Sequence, residues 1–295
     1  MADAVKDEQE VIEEGEAIAD VEKKGPGFLD NLKKSYMEKI KGKKNIKIAA
    51  PKGAKAGQKK LLEGVTTIPK IVEKHIQEIE IDPIIDGYSY VRIKYDNIGN
   101  DYLYEVIEPK LTEEEEDVLE VLKDSMVDSL EFLEDATMEE KEDYLRRGAD
   151  SLLRDIGVQL HPVSKERVIY YILRDFTRYG AIDVTMIDVQ VEDLSCDGMG
   201  VPLYVFHRKY GSIQSNLKFT SSEELDGFVV WLAQRCGKHI SVAEPMLDAT
   251  IPDGSRLQAT LGTHVTKRGS SFTIWRYMEK PSARFLLHIT GGISV

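Results

Sequence analysis

Cysteine is scarce in this 295-residue sequence, which contains only Cys196 and Cys236. The two do not form a CxxC pair and have no metal-ligand spacing with a histidine, which argues against a zinc site. We therefore interpret both as buried thiols of a protein in a reducing compartment. No apolar run approaches the roughly 20 residues that span a bilayer, and the acidic N-terminus does not resemble a signal peptide. We expect a cytoplasmic protein.

A phosphate-binding loop is also missing, since no G-x-x-x-x-G-K-[ST] segment occurs in the sequence. Gly237-Lys238 follows a predicted helix, whereas a phosphate loop lies between a strand and the start of a helix, so helix capping by Gly237 is the better interpretation. The six histidines are scattered and assemble no nucleophilic set. An enzyme of unrelated chemistry that uses Asp197, His207 and Asp253 stays open, although no motif supports it.

Charge is unevenly distributed along the chain, whose net charge is −13. Residues 1–22 and 113–155 are acidic, and residues 33–60 are rich in lysine. Such a basic tract is typical of a flexible tether, and it could also attract anionic lipid headgroups or an acidic partner. Nucleic acid is not expected as a partner, because Tyr36 is the only aromatic residue of the tract and base stacking needs several.

The first half of the chain predicts a charged tail and one small domain. Residues 1–60 have few apolar residues and no sustained period, which indicates disorder. A helical period follows from Lys60 to Ile81, and a β-hairpin is predicted from the two aromatic and β-branched runs 88–95 and 102–107. Two amphipathic helices come next, the first opening with a Thr112–Glu115 capping box. We group residues 61–160 as a first α+β domain.

The second half predicts another α+β domain, at residues 161–276. A helix over residues 164–179 precedes short strands with alternating apolar residues at 191–196, 203–207 and 213–217. Another helix is predicted from Ser221 to about Cys236, followed by two or three strands around an Asp253-Gly254 turn. One helix-flanked, largely antiparallel sheet is the simplest packing of these elements. Residues 277–295 are predicted to be linker-like, which makes the fold class α+β.

Several motifs of this second domain recur together in one known family. They are SCDG at 195–198, VFHRKYGSI at 205–213, LAQRCGKHIS at 232–241 and the segment from Glu244 to Tyr277. In their order and spacing the sequence resembles the archaeal branch of the type II/type IV secretion ATPases, which drive archaellum and pilus assembly. The resemblance covers about residues 60–276. It departs at Trp275, where relatives carry a basic residue and Arg276 is the nearest substitute.

The resemblance implies that this chain is the N-terminal half of such an ATPase, without the motor domain. The parent enzyme would hydrolyse ATP with Mg²⁺ as a hexamer, peripheral to the cytoplasmic membrane and in contact with the membrane platform protein of the pilus or archaellum machinery. This chain alone is expected neither to bind ATP tightly nor to hydrolyse it. The alternative is a non-catalytic interaction module that docks on the platform protein or on a full-length ATPase.

Three arginines are the candidate site residues. From the residues alone, Arg256 and Arg268 are ion-pair partners of nearby acids such as Asp248 and Asp253. The resemblance implies instead that they are arginine fingers that stabilise phosphoryl charge, because this domain of the family closes over the nucleotide. They are then expected on one sheet edge with exposed guanidinium groups. Arg276 is a candidate for nucleotide binding.

Overall fold

The computed structural model describes residues 64–126, 137–263 and 266–277, and these residues form an α+β fold, as predicted. The tail of residues 1–60, with its basic tract at 33–60, lies outside the described residues. The linker-like end beyond Tyr277 also lies outside them. No helix in the described part of the chain is long and apolar enough to cross a membrane.

The first of two compact units consists of residues 64–67 and Pro109–Gly180. Its helices are α1 (Glu113–Met126), α2 (Met138–Asp155) and α3 (Pro162–Phe176). The predicted capping box of α1 is present, since the backbone N–H of Thr112 donates to Glu115 Oε2 at 2.9 Å and that of Glu115 donates to Thr112 Oγ1 at 3.3 Å. The three helices share one apolar core, which includes Val118, Leu122, Leu145, Val168 and Ile172.

The second unit consists of Ile68–Glu108 and the described residues from Ala181 onward. Its strands are β1 (Ile76–Ile85), β2 (Ser89–Asp96), β3 (Asp101–Ile107), β4 (Val191–Cys196), β5 (Pro202–His207), β6 (Gly211–Lys218), β7 (Met246–Thr250), β8 (Arg256–Thr260) and β9 (Ser271–Trp275). Its helices are α4 (Asp183–Ile187) and α5 (Ser222–Arg235), and a 3-10 turn covers Gly180–Ile182. The strands form one sheet in the order β1-β2-β3-β6-β5-β4-β9-β8-β7, in which only β3 and β6 pair in parallel.

The helix predicted between Lys60 and Ile81 is wrong over its described part. Residues 64–75 contain no helix, and Ile76–Ile85 form β1. Short runs of isoleucine fit both a helical and a strand period, and here the antiparallel partner β2 decides between them. Pro83 lies inside β1, which the edge position of this strand permits because one side of an edge strand has no ladder bonds to lose.

The two units divide the chain differently from the predicted domains 61–160 and 161–276. The sequence predicts the hairpin β2–β3 as part of the first domain, whereas in the structure it belongs to the unit that contains β4–β9. It joins that sheet through the parallel register Leu103↔Gln214 and Tyr104↔Ser215. A pairing between residues more than 100 positions apart has no local signal in the sequence.

The sheet around β4, β5, β8 and β9 has a buried and an exposed face. Leu194, Val205, Leu257 and Ile274 lie on the buried face, where α5 packs with Phe228 against Phe272 at a ring-centroid distance of 5.5 Å. The residues between them point to the other side. We call this side the open face, and its members are Asp193, Ser195, Tyr204, Phe206, Arg256, Gln258, Thr273 and Trp275.

Candidate functional site

Arg268 lies in the loop between β8 and β9, against the loop that follows β4. The backbone N–H of Met199 donates to Arg268 O at 3.2 Å. Gly198 has a φ of 122°, and a Cβ at this position would lie 2.5 Å from Arg268 Cβ and 2.6 Å from Arg268 O. Only glycine can therefore occupy position 198 without moving the arginine.

The other side of the Arg268 loop is held by hydrogen bonds. The buried hydroxyl of Ser270 donates to Asp226 Oδ1 on α5 and accepts from the backbone N–H of Gly262 at 2.8 Å. The Thr266 hydroxyl donates to the carbonyl of Gly269. The Arg268 side chain itself is exposed, and no carboxylate among the described residues lies within ion-pair distance of it. Residues 266–270 thus present a guanidinium that has no carboxylate partner among the described residues, on a backbone held by hydrogen bonds.

Arg256, in contrast, is paired with Asp248 on the neighbouring strand β7. Its Nε donates to Asp248 Oδ1 at 3.1 Å and its Nη2 to Asp248 Oδ2 at 2.6 Å, a bidentate arrangement. These hydrogen bonds hold the pKa of Asp248 below its usual value. Both side chains are more than half exposed, at 61% and 52%. The pair occupies the guanidinium of Arg256, but its exposure leaves it open to exchange with another anion.

The expectation that Arg256 and Arg268 share one sheet edge is wrong. Arg256 begins β8 and pairs with Trp275, whereas Arg268 lies beyond the other end of the hairpin, where Thr260 pairs with Ser271. Four residue steps along β8 correspond to roughly 14 Å of strand. The two arginines therefore lie at opposite ends of the β8–β9 hairpin, and β7 rather than β8 is the edge strand.

Arg276, the third predicted residue, is engaged with the backbone before β4. Its Nη1 donates to the carbonyls of Asp188 and Val191, the latter at 3.0 Å. The carboxylate of Asp188 is buried and accepts hydrogen bonds from Tyr104 Oη and from the backbone N–H of Gln190, each at 2.8 Å. Arg276 thereby stabilises the turn that precedes β4, a role that its sequence position did not indicate.

The structure does not bring Asp197, His207 and Asp253 together. His207 is buried on β5, where its strand neighbour Val191 lies at the opposite end of β4 from Asp197. Asp253 instead accepts from the backbone N–H of Ser255 at 2.9 Å in the predicted turn before β8. An unrelated enzyme built on these three residues has no geometric support.

The two cysteines are free, with Cys196 buried and Cys236 only half-buried. Burial raises the pKa of the Cys196 thiol to about 11, so this sulfur stays protonated at neutral pH. Within residues 64–126, 137–263 and 266–277, no group of three or more histidine, cysteine, aspartate or glutamate side chains is arranged to hold a metal ion.

No family model matches the sequence. The uncharacterized protein MJ1288 of Methanocaldococcus jannaschii is 36% identical over 241 residues, which cover 80% of this chain and 95% of MJ1288. Two other uncharacterized proteins of the same organism are longer. MJ0900 is 28% identical over 213 residues and MJ0781 is 26% identical over 263 residues. The chain spans 37% of MJ0900 and 34% of MJ0781.

A solved structure also matches part of the chain. The VirB11 ATPase of the Brucella suis type IV secretion system, in complex with sulphate, matches 37% of this chain and 34% of its own at 16% sequence identity. The TM-score is 0.27. A likeness this small does not show a shared fold.

Proposed function

This chain belongs to the family of the uncharacterized Methanocaldococcus jannaschii protein MJ1288. We infer its function from the geometry of the candidate site. We propose that it is the nucleotide-clamping part of a secretion-type assembly ATPase. ATP and Mg²⁺ would be held by a motor domain with a phosphate loop, and this chain would place a positive charge beside the phosphates. Alone, it would not hydrolyse ATP.

The observation that carries this proposal is the side chain of Arg268. Phosphoryl transfer spreads negative charge over the oxygens of the γ-phosphate, and a prepositioned guanidinium stabilises that charge. Arg268 combines an exposed side chain, no carboxylate partner among the described residues and a backbone held by Met199 on one side. On the other side, Ser270 is bonded to Asp226 of α5.

Arg256 would contribute less in this account. Its guanidinium already donates two hydrogen bonds to Asp248, so a phosphate would have to displace that carboxylate. Arg276 would contribute nothing directly, since its Nη1 is used by the carbonyls of Asp188 and Val191. Arg268 is therefore the principal candidate among the three arginines.

A chimera tests the proposed function. The chain would replace the segment of MJ0781 to which it aligns, because that relative extends well beyond the aligned part. The expected result is ATP-dependent phosphate release by MJ0781 and by the chimera, and none by the purified 295-residue chain. Phosphate release by the chain alone would contradict the proposal. So would the absence of ATP hydrolysis in both MJ0781 and the chimera.

A non-catalytic interaction module is the second candidate. The match to MJ1288 favours it, because the aligned residues account for 95% of that relative and leave little room for a motor domain there. In this case the chain would bind the pilus or archaellum platform protein, or a full-length ATPase, without chemistry of its own. A chimera without ATPase activity, together with saturable binding of the chain to MJ0781, would select this alternative.

A further inference from the structure

The open face carries a carboxylate between two aromatic side chains. Asp193 on β4 pairs directly with Phe206 on β5 and with Trp275 on β9. Its strand neighbour Leu194 is buried, as are Val205 and Ile274, so the three side chains of this row all point to the open side of the sheet. Phe206 and Trp275 are each 41% exposed, which is high for large apolar side chains.

The spacing of this row suits a single cationic group. Neighbouring strands lie about 4.8 Å apart, so Phe206 and Trp275 stand about 10 Å apart on either side of Asp193. A cation midway between them lies about 5 Å from each ring, within the roughly 6 Å over which a ring face attracts a cation. A planar guanidinium stacks on aromatic faces better than an ammonium does, and it can also donate to a carboxylate.

Asp193 also lacks a positive partner among the described residues. No lysine, arginine or histidine in the part of the chain that the structure describes lies within ion-pair distance of it. Arg208, which follows β5, is paired with Glu192 at 3.2 Å, and Arg256, which stands beyond Trp275 in the same row, is paired with Asp248 at 2.6 Å. Partial burial, and next the charge of Glu192, raise the pKa of Asp193 above its usual value. A bound cation would offset both effects.

The next row of the open face could receive the backbone around such a cation. Tyr204, Ser195 and Thr273 stand side by side on β5, β4 and β9. Their three hydroxyl groups can donate or accept hydrogen bonds. An arginine of a peptide would place its guanidinium between Phe206 and Trp275 and its backbone amides against this hydroxyl row. A free cation would contact only the first of the two rows.

From this juxtaposition we propose that Phe206, Asp193 and Trp275 form a docking site for an arginine side chain of a partner protein. Because the neighbouring guanidinium of Arg256 is paired with Asp248, Asp193 leaves the site with a negative charge, which is complementary to a basic segment. It lies at the Arg256 end of the β8–β9 hairpin, and Arg268 lies at the other end. It is therefore separate from Arg268, the principal proposed phosphate contact, and stands whether or not that function holds.

The test is a titration of the purified chain with capped tetra-arginine, followed by the two tryptophan indole N–H signals in NMR spectra. The chain contains two tryptophans, and a Trp231→Phe variant assigns them. Tetra-arginine is expected to shift the Trp275 signal, whereas uncharged tetra-citrulline is expected to leave it unchanged. An unshifted Trp275 signal at millimolar tetra-arginine would overturn the proposal, as would tighter binding of ATP than of tetra-arginine at Trp275.

Two variants and a matched control show which residues bind tetra-arginine. Asp193→Asn should weaken tetra-arginine binding about tenfold, and Phe206→Leu about threefold. Glu223→Gln removes the same charge from the exposed first turn of α5 and should change the affinity less than about twofold. Equal weakening by Asp193→Asn and Glu223→Gln would show a nonspecific charge effect and overturn the proposal. Thermal unfolding of each variant establishes that it is folded.

Discussion

Tyr104 donates a hydrogen bond from its hydroxyl to Asp188 Oδ2 at 2.8 Å, although 84 positions separate the two residues. Tyr104 belongs to the predicted hairpin, and Asp188 belongs to the turn before β4 that Arg276 also contacts. Both side chains are buried, and burial raises the pKa of Tyr104 well above its usual value. This bond ties the hairpin to the part of the sheet that carries the candidate site.

Removing the Tyr104 hydroxyl should therefore destabilise the fold. Tyr104→Phe leaves a buried carboxylate one hydrogen bond short, which should lower the free energy of unfolding by about 1.5 to 3 kcal/mol. Chemical denaturation measures the change. Tyr277→Phe, at an exposed tyrosine, is the control and should stay within about 0.5 kcal/mol of the wild type. Equal stability of Tyr104→Phe and the control would mean that the bond is not formed.

Gly198→Ala should be disruptive where another glycine substitution is not. The added Cβ would meet the backbone of Arg268 at 2.6 Å, and φ at this position is 122°. We expect a loss of more than about 1 kcal/mol in unfolding free energy. Gly227→Ala, inside α5 with nothing within 4 Å of its Cβ, should instead stabilise the protein by about 0.5 to 1 kcal/mol. A tolerated Gly198→Ala would contradict the close approach of the two loops.

His207 should make the unfolding free energy of the protein depend on pH below neutrality. Burial lowers its pKa below the usual value of about 6.5, although the carboxylates of Asp188 and Glu80 oppose the shift. Its Nδ1 accepts from the backbone N–H of Lys209 at 3.2 Å, which requires that nitrogen to be unprotonated.

The lowered pKa of His207 sets the direction in which the unfolding free energy changes with pH. The unfolded chain binds the proton more readily, so unfolding free energy should fall as pH drops below about 6.5. His207→Asn keeps an acceptor near the same position and removes the titration, so its stability curve should be flatter between pH 6.5 and lower pH. Superimposable curves of unfolding free energy against pH for the wild type and His207→Asn would exclude this contribution.

Arg92 is a buried cation whose loss should destabilise the fold. It is 3% exposed, and its guanidinium contacts Glu105 at 2.6 Å, Glu78 at 3.2 Å and the carbonyl of Pro69 at 2.7 Å. Arg92→Met leaves Glu105 with Lys94, at 3.3 Å, as its remaining cationic partner and should lower the unfolding free energy by about 1 to 3 kcal/mol.

A double-mutant cycle checks the cause of that loss. Arg92→Met combined with Glu105→Leu removes both charges, so the double variant should be more stable than Arg92→Met alone. Additive losses in the two single variants would show that Arg92 acts through its packing and not through the ion pair.

The local elements of this fold could be predicted from the sequence. Alternation of apolar residues gave β4, β5 and β6 close to their observed bounds, and Gly237, with a φ of 63°, follows the end of α5 as predicted. Prediction failed at β1, where a run of isoleucines fits two periods. It also failed at the parallel β3–β6 pairing, because neither partner strand carries a signal for the other.

The candidate site was less predictable, since its features depend on contacts between strands. Sequence proximity suggested Asp248 as a partner for Arg256, and the pair is present. Nothing in the sequence separated Arg256 from Arg268, because their difference lies in the register of the hairpin that joins them. The row of Phe206, Asp193 and Trp275 was missed for the same reason, as three strands contribute one residue each.

The turnover of arginine variants in the MJ0781 chimera tests the central claim most directly. Known arginine fingers contribute about 10³ to 10⁵ in rate, and a clamp shared by several groups loses less per residue. We expect Arg268→Ala to lower kcat by at least about 10², and Arg256→Ala by about threefold or less. Arg154→Ala, an exposed arginine of α2, is the surface control and should leave kcat unchanged. Unchanged kcat in Arg268→Ala, or a larger loss in Arg256→Ala, would contradict the account.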